Sequence, residues 1–416
     1  MTAEFQTEAS SPARPRPGKA PSLWILIAIS TISPLSMNIY LPSMAGMVTA
    51  FETTAGMVQL TMSLFLVSIA VSTILLGPLS DRFGRRPVVL WGLALYVLAS
   101  VLCLLAPTIE ALIAARILQA LGGCTGIVLS RAIVRDLYER DKAASMIGYV
   151  TMGLAIGPML APVVGGLLDQ FYGWRGGFYT MPILGVAVLA VAWFNLHETN
   201  FKRSSGGGLG VLWQNMCTVM REPLFWAFSM VVGFTSSVYF AFLGGAPFVA
   251  GNILGMPPGE MGFFFMFIAA GYIIGNFISG RIAERVGVLR MIVFGSILPA
   301  IAVAAVSGVL ILDIGHPLAL FVPMFFVGLG NGICLPSAVA GAVSAKAELA
   351  GAASGLAGSI QIGSGAVASA LVAWMLSDTM WPTTAWPMVG TMIVCVIASL
   401  MSVAAIMAFD SGSESA

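Results

Sequence analysis

Apolar stretches of about 20 residues or more recur twelve times along the 416-residue chain, at roughly 23–45, 57–80, 87–106, 111–134, 144–168 and 176–196, then 224–250, 260–283, 288–312, 317–341, 352–376 and 387–408. A bilayer core gives the backbone no water to bond, so a segment of this kind must satisfy its N–H and C=O groups internally, as an α-helix does. Hydrophobic residues make up 58% and charged residues 9%, far below the roughly 25% charged content of a soluble domain. The expected fold class is an all-α integral membrane protein of about 12 transmembrane helices.

The segment Gly77-Pro78-Leu79-Ser80-Asp81-Arg82-Phe83-Gly84-Arg85-Arg86 lies between two apolar runs, and Gly280-Arg281-Ile282-Ala283-Glu284-Arg285-Val286-Gly287 repeats its glycines, acid and arginine at the same offsets half a chain later. Two similar halves with binding at their interface are an organisation found in transporters. The expected layout is a cytoplasmic tail over 1–20, a six-helix bundle over 21–196, a cytoplasmic linker over 197–223, a second six-helix bundle over 224–409 and a short tail over 410–416. Within the linker, Leu209 to Met220 reads as a short interfacial helix.

Charge sets the expected orientation. Of the 19 Lys and Arg, all but Arg116 and Arg175 fall in the N-terminal tail or in alternate loops, and cationic loops stay on the cytoplasmic side. The opposite loops carry Glu52, Glu110, Asp169, Glu260, Asp313 and Asp378. Both termini are therefore expected in the cytoplasm. The five cysteines show no paired or metal-like spacing, so no disulfide, metal or cofactor is expected. His197 and His316 sit at membrane edges, and no nucleophile, base and orienting acid cluster together, which argues against an enzyme. Nothing points to nucleic acid or demands a partner, and the chain is long enough to act as a monomer.

Three motifs carry the functional reading. Gly77 to Arg86 resembles the major facilitator superfamily segment between its second and third helices. Asp81 beside Arg82, Arg85 and Arg86 is expected to form a charge cluster with the opposing half that breaks and remakes between two states; a topology-setting charge cluster is the plainer alternative. Arg116, with Gln119, Gly122 and Gly123, resembles the fourth-helix arginine of the superfamily. A central Arg costs roughly 2.5–3.5 kcal/mol on insertion scales, so it is expected to face a cavity or partner, or else to snorkel outward near Glu110. Gly153, Gly157, Pro158, Pro162, Gly165 and Gly166 resemble the fifth-helix pattern of drug antiporters, in which small residues bring helices close.

Asn38-Ile39-Tyr40-Leu41-Pro42, Arg131-Ala132-Ile133-Val134-Arg135-Asp136 and Phe240 to Phe248 look like the bicyclomycin/chloramphenicol resistance branch of bacterial drug:proton antiporters. That resemblance implies export of lipophilic antibiotics by alternating access, with lipid, drug and protons as partners. It also implies that helices one, four, seven and ten line a cavity. The substrate wall expected on this basis comprises Met37, Asn38, Tyr40, Arg116, Gln119, Tyr239, Phe240, Asn331 and Gln361; the coupling positions are Asn38 and Arg116. Gating falls to Gly77, Asp81, Arg82, Gly84, Arg85, Arg86, Arg135, Asp136, Glu284 and Arg285. One departure stands out: the branch usually has aspartate where this chain has Asn38, which cannot titrate. No other acid lies mid-span, so proton coupling through this position is expected to be impaired, and the lack of a cavity acid favours neutral or weakly anionic drugs. Two alternatives share the fold: an uncoupled facilitator or exporter of a small metabolite or sugar, and a non-transporting receptor or scaffold.

Overall fold

The structure is a computed structural model that describes residues 21–138, 140–200, 209–376 and 384–414. The expected tail over 1–20 and linker residues 201–208 lie outside it. The first half comprises α1 (Leu23–Asn38), α2 (Ala55–Phe83), α3 (Arg85–Leu104), α4 (Ile109–Leu137), α5 (Arg140–Tyr172) and α6 (Arg175–Asn195). The second comprises α7 (Pro223–Phe248), α8 (Met266–Val286), α9 (Val288–Ile311), α10 (Pro317–Ser344), α11 (Ala350–Met375) and α12 (Trp386–Glu414). Among the described residues, eleven helical runs are long and apolar enough to cross a membrane; α5, with 33 residues, is the twelfth long helix. A short helix over Leu209–Val219 occupies the linker. At the C-terminus, α12 runs to Glu414, into the segment expected to be a tail.

Local chemistry places the helix boundaries. Thr54 and Thr108 start α2 and α4 by accepting the backbone N–H of Met57 and Ala111. Gly84 separates α2 from α3 at φ 102° and ψ 155°, and Gly287 separates α8 from α9 at φ 90° and ψ 152°, a region open essentially to glycine alone. The repeated glycine of the two loops thus builds the same tight reversal twice. After Asn38 the first span breaks into a 3-10 turn at Leu41–Ser43 and a short helix at Met44–Ala50, with Pro42 placed where its missing N–H costs nothing.

The two halves share one core at the end opposite the termini. A single buried cluster runs from Met37, Tyr40 and Met47 through Phe242, Ala246 and Phe265 to Val372 and Met388. Every residue of α7 from Phe240 onward, and on to Ala250, is buried. Towards the terminus-bearing end a second, separate cluster around Phe225, Val232, Ile292 and Ala357 belongs to the second half. Polar bonds join the halves along α2 and α11: Gln59 Nε2 donates to Ser369 Oγ at 2.5 Å, and Thr73 Oγ1 lies 2.9 Å from Ser359 Oγ.

Candidate functional site

Arg116 is completely buried in the interior of the first half. Its guanidinium lies between two rings, 4.4 Å from the Tyr40 centroid and 4.2 Å from that of Phe65. Nη1 donates to Ser36 O at 3.2 Å and to Gln119 Oε1 at 2.5 Å. Gln119 passes the network on, donating through Nε2 to Ser100 Oγ at 2.7 Å, while Tyr40 and Thr61 hydroxyls meet at 3.1 Å. Nε and Nη2 of Arg116 have no hydrogen-bond partner among the described residues. No Asp or Glu is buried among them either, so ring faces and neutral oxygens take the place of a counter-ion. Desolvated cation–π contacts of this kind contribute about 2 kcal/mol.

Arg116 and Gln119, expected in a cavity wall, are both fully buried in this structure. Two aromatic faces cover the guanidinium within the bundle. The snorkelling alternative is excluded on the same ground. Asn38 is also buried, and its Nδ2 donates to Pro34 O at 2.7 Å, one helical turn back along α1. Met37 is buried beside it in sequence.

The second-half candidates form a different group. Tyr239 and Phe240 meet edge to face at 5.3 Å, and Phe240 lies against Gly365 of α11, where a Cβ would fall 2.1 Å from its ring. Gln361, one turn earlier on α11, is half-buried. Asn331 is buried in α10 with its Oδ1 unpartnered among the described residues. No hydrogen bond or ring contact among the described residues links these side chains to the Arg116 network.

The fifth-helix glycines are contact points. A Cβ on Gly165 would fall 1.5 Å from Ile39 O, and one on Gly157 would fall 3.1 Å from Leu35 N, so α5 seats α1 backbone to backbone. Gly166 meets Pro258 O of the second half, and Pro162 O meets Gly262, at 2.3 Å to the equivalent positions. Pro158 is half-buried in the same face, and the surroundings of Gly153 lie outside the described residues.

At the terminus-bearing end, the Gly77–Arg86 loop forms a bonded cluster. Arg85 pairs with Asp81 at 2.7 Å and with Asp136 of α4 at 3.0 Å, and its Nη1 also donates to Ser80 Oγ. Glu198, just past α6, takes four backbone N–H groups. Oε1 accepts from Arg85, Thr199 and Asn200 at 2.9, 3.0 and 2.9 Å, and Oε2 accepts from Arg86 at 3.2 Å. A carboxylate thus sits on the N-terminus of α3, where the helix dipole favours negative charge. Arg86 donates to Leu196 O and Trp193 O at 2.7 and 3.0 Å, Thr199 bonds Asp136, and Asn200 bonds Asp81 O. Arg82 rests over the Phe83 ring. Gly77 has open space around it, and Arg135 is exposed. The expected bridge to the opposing half is absent: every ion pair of this cluster among the described residues stays within the first half. Glu284 and Arg285 are exposed and without hydrogen bonds or ion pairs among the described residues.

A model of the Major Facilitator Superfamily matches residues 26–369. The chain belongs to this superfamily. Among its relatives, the bicyclomycin resistance protein homolog of Haemophilus influenzae is 29% identical over 346 residues, spanning 82% of this chain and 85% of that protein. The chloramphenicol resistance protein of Pseudomonas aeruginosa is 31% identical over 338 residues, spanning 80% and 78% respectively. A solved structure of a bacterial homolog of the human lysosomal transporter Spinster matches with a TM-score of 0.72 at 16% identity, over 92% of this chain and 95% of that one; that likeness speaks for the fold. The protein is a multi-pass membrane transporter of this superfamily, not an enzyme.

Several residues of the site escaped the sequence reading. Glu198, Thr199 and Asn200 read only as linker composition, although an acid directly after α6 and a glycine-broken α3 N-terminus were both visible. Ser36, Phe65 and Ser100 around Arg116 look like ordinary span residues, and no local pattern marks them.

Proposed function

We propose that this transporter exports neutral or weakly anionic lipophilic drugs, amphenicol-like or bicyclomycin-like, across a bacterial inner membrane by alternating access. The observation that carries this reading is the charge of the buried interior: among the described residues it holds one cation, Arg116, and no carboxylate. Such an interior disfavours strongly cationic drugs. The names of the two resistance-protein relatives support drug export, and the confinement of Lys and Arg to the tail and alternate loops supports cytoplasmic termini. A state in which the halves part at the Asp81 end would open the space between them to the cytoplasm. Rocking the bundles would close the Asp81 end and open the other.

Asn38 sets the coupling. Its amide N–H donates to Pro34 O, as the O–H of a protonated aspartic acid would, whereas an ionised carboxylate would face that carbonyl with no proton to share. The chain therefore holds the protonated-like shape at position 38 permanently. Export then runs down the drug gradient, or the proton uses a peripheral acid such as Asp81, Asp136 or Glu110. The missing titratable group also favours a second reading, a facilitator of a small neutral metabolite.

Drug-driven proton movement in proteoliposomes under an imposed pH gradient tests the coupling. We expect Asn38→Asp to move protons and the parent chain not to; equal proton movement in both would overturn the assignment to position 38. Drug uptake in de-energised vesicles separates the two readings, since a metabolite facilitator leaves the drug outside.

A further inference from the structure

Gln59 and Ser369 meet where α2 of the first half lies against α11 of the second, near the start of α2 and the end of α11. Both side chains are completely buried. Gln59 Nε2 donates to Ser369 Oγ at 2.5 Å and lies 3.6 Å from Met62 Sδ. Gln59 Oε1 has no hydrogen-bond partner among the described residues. Gly244 of α7 closes over the pair: a Cβ there would fall 2.8 Å from Ser369 Oγ and 3.0 Å from Gln59 Nε2. The second polar bond of this seam, between Thr73 and Ser359, lies about 21 Å further along α2 at the helical rise. Its partners are partly accessible, so water can replace either of them. The Gln59 pair is dry.

Any motion that parts the halves at the end far from the termini must draw α2 from α11 at this point and admit water. Water then takes the place of each bonded partner, and the dry carbonyl gains the donor it lacks in the closed seam. The amide therefore acts in two directions. Its N–H group ties the halves together, while its C=O group makes the closed seam less favourable than an apolar side chain of the same shape would. Neither side chain titrates, so the pair answers to hydration and not to pH.

We propose that Gln59, Ser369 and Gly244 form a neutral latch between the halves, whose half-satisfied amide holds the far end closed and keeps it releasable. The latch rests on the alternating-access reading and names the residues that set its closed state. Gly244 leaves the room in which the two side chains meet.

The test is the distance between spin labels on Glu110→Cys and Gly315→Cys, exposed positions of the two halves at that end, in the full chain in lipid nanodiscs with Cys217→Ser; the other four native cysteines are buried. Ser369→Ala leaves both ends of the amide dry and unpartnered, and should raise the long-distance population roughly tenfold, the loss of one buried hydrogen bond. Gln59→Met removes both polar demands at nearly the same shape. It should not raise that population, and added to Ser369→Ala it should abolish the rise. An unchanged population in Ser369→Ala, or a rise in Gln59→Met as large as in Ser369→Ala, overturns the latch, since a mere packing role loosens the seam in both variants. Export of chloramphenicol from proteoliposomes by the wild type reads transport separately. With export present, failure of the latch leaves the alternating-access reading standing; absent export removes that reading and the latch with it.

Discussion

The two copies of the glycine loop share a backbone and differ in almost everything attached to it. Gly84 and Gly287 adopt nearly the same φ and ψ, and each separates two long helices with an acid and an arginine just before it. Around the first copy, Arg85 binds Asp81 and Asp136, and Glu198 caps α3. Around the second, Arg281 rests on the Phe277 ring at 4.7 Å, while Glu284 and Arg285 stand in solvent. Duplication therefore preserved the turn, which a single glycine specifies. The network depends on partners from α4 and from the linker, and among the described residues no carboxylate folds back on the second loop.

Substitutions made in pairs, one in each loop, sharpen this contrast. The largest difference is expected for Asp81→Asn against Glu284→Gln. The first should cut transport at least ~10-fold, about 1.4 kcal/mol on the conformational barrier, at normal membrane abundance. Vesicle transport corrected for protein amount measures it, and normal export by Asp81→Asn removes the gating role. Next come the glycines. Alanine at Gly84 or Gly287 forces a backbone cost of order 1–3 kcal/mol. At Gly84 the new Cβ would also fall 2.4 Å from Glu198 Oε2, whereas nothing lies within 4 Å at Gly287. Thermal unfolding in detergent should rank Gly84→Ala below Gly287→Ala, and the reverse order would argue that Glu198 yields freely. The smallest effect separates the acids as stabilisers: Glu198→Ala should cost about 1–2 kcal/mol through lost capping bonds, and Glu284→Gln no more than about 0.5 kcal/mol, as for a surface change.

Arg116 shows how far the residues alone could lead. A cation in the middle of an apolar run had to find partners, and that much followed from the cost of charge in hydrocarbon. Which partners it found did not, because Phe65 and Ser36 come from other helices and nothing in their local sequence marks them, while the motif that marks Tyr40 does not pair it with Arg116. The same holds for the fifth-helix glycines: their spacing indicated close packing, whereas their seats on Ile39 and Pro258 depend on how α5 lies against two neighbours.

Read alone, the sequence determined the helical class, the number and order of the spans, the duplication, the two glycine turns and the side on which positive charge gathers. These are properties of single segments, and the bilayer constrains each segment separately through its length and polarity. Only the tertiary structure decided that Arg116 is closed between two rings, that Glu198 caps α3, and that one buried core joins the halves at the end far from the termini. Each of these depends on atoms from helices distant in sequence, and their approach is set by packing of whole bundles, which no local pattern encodes.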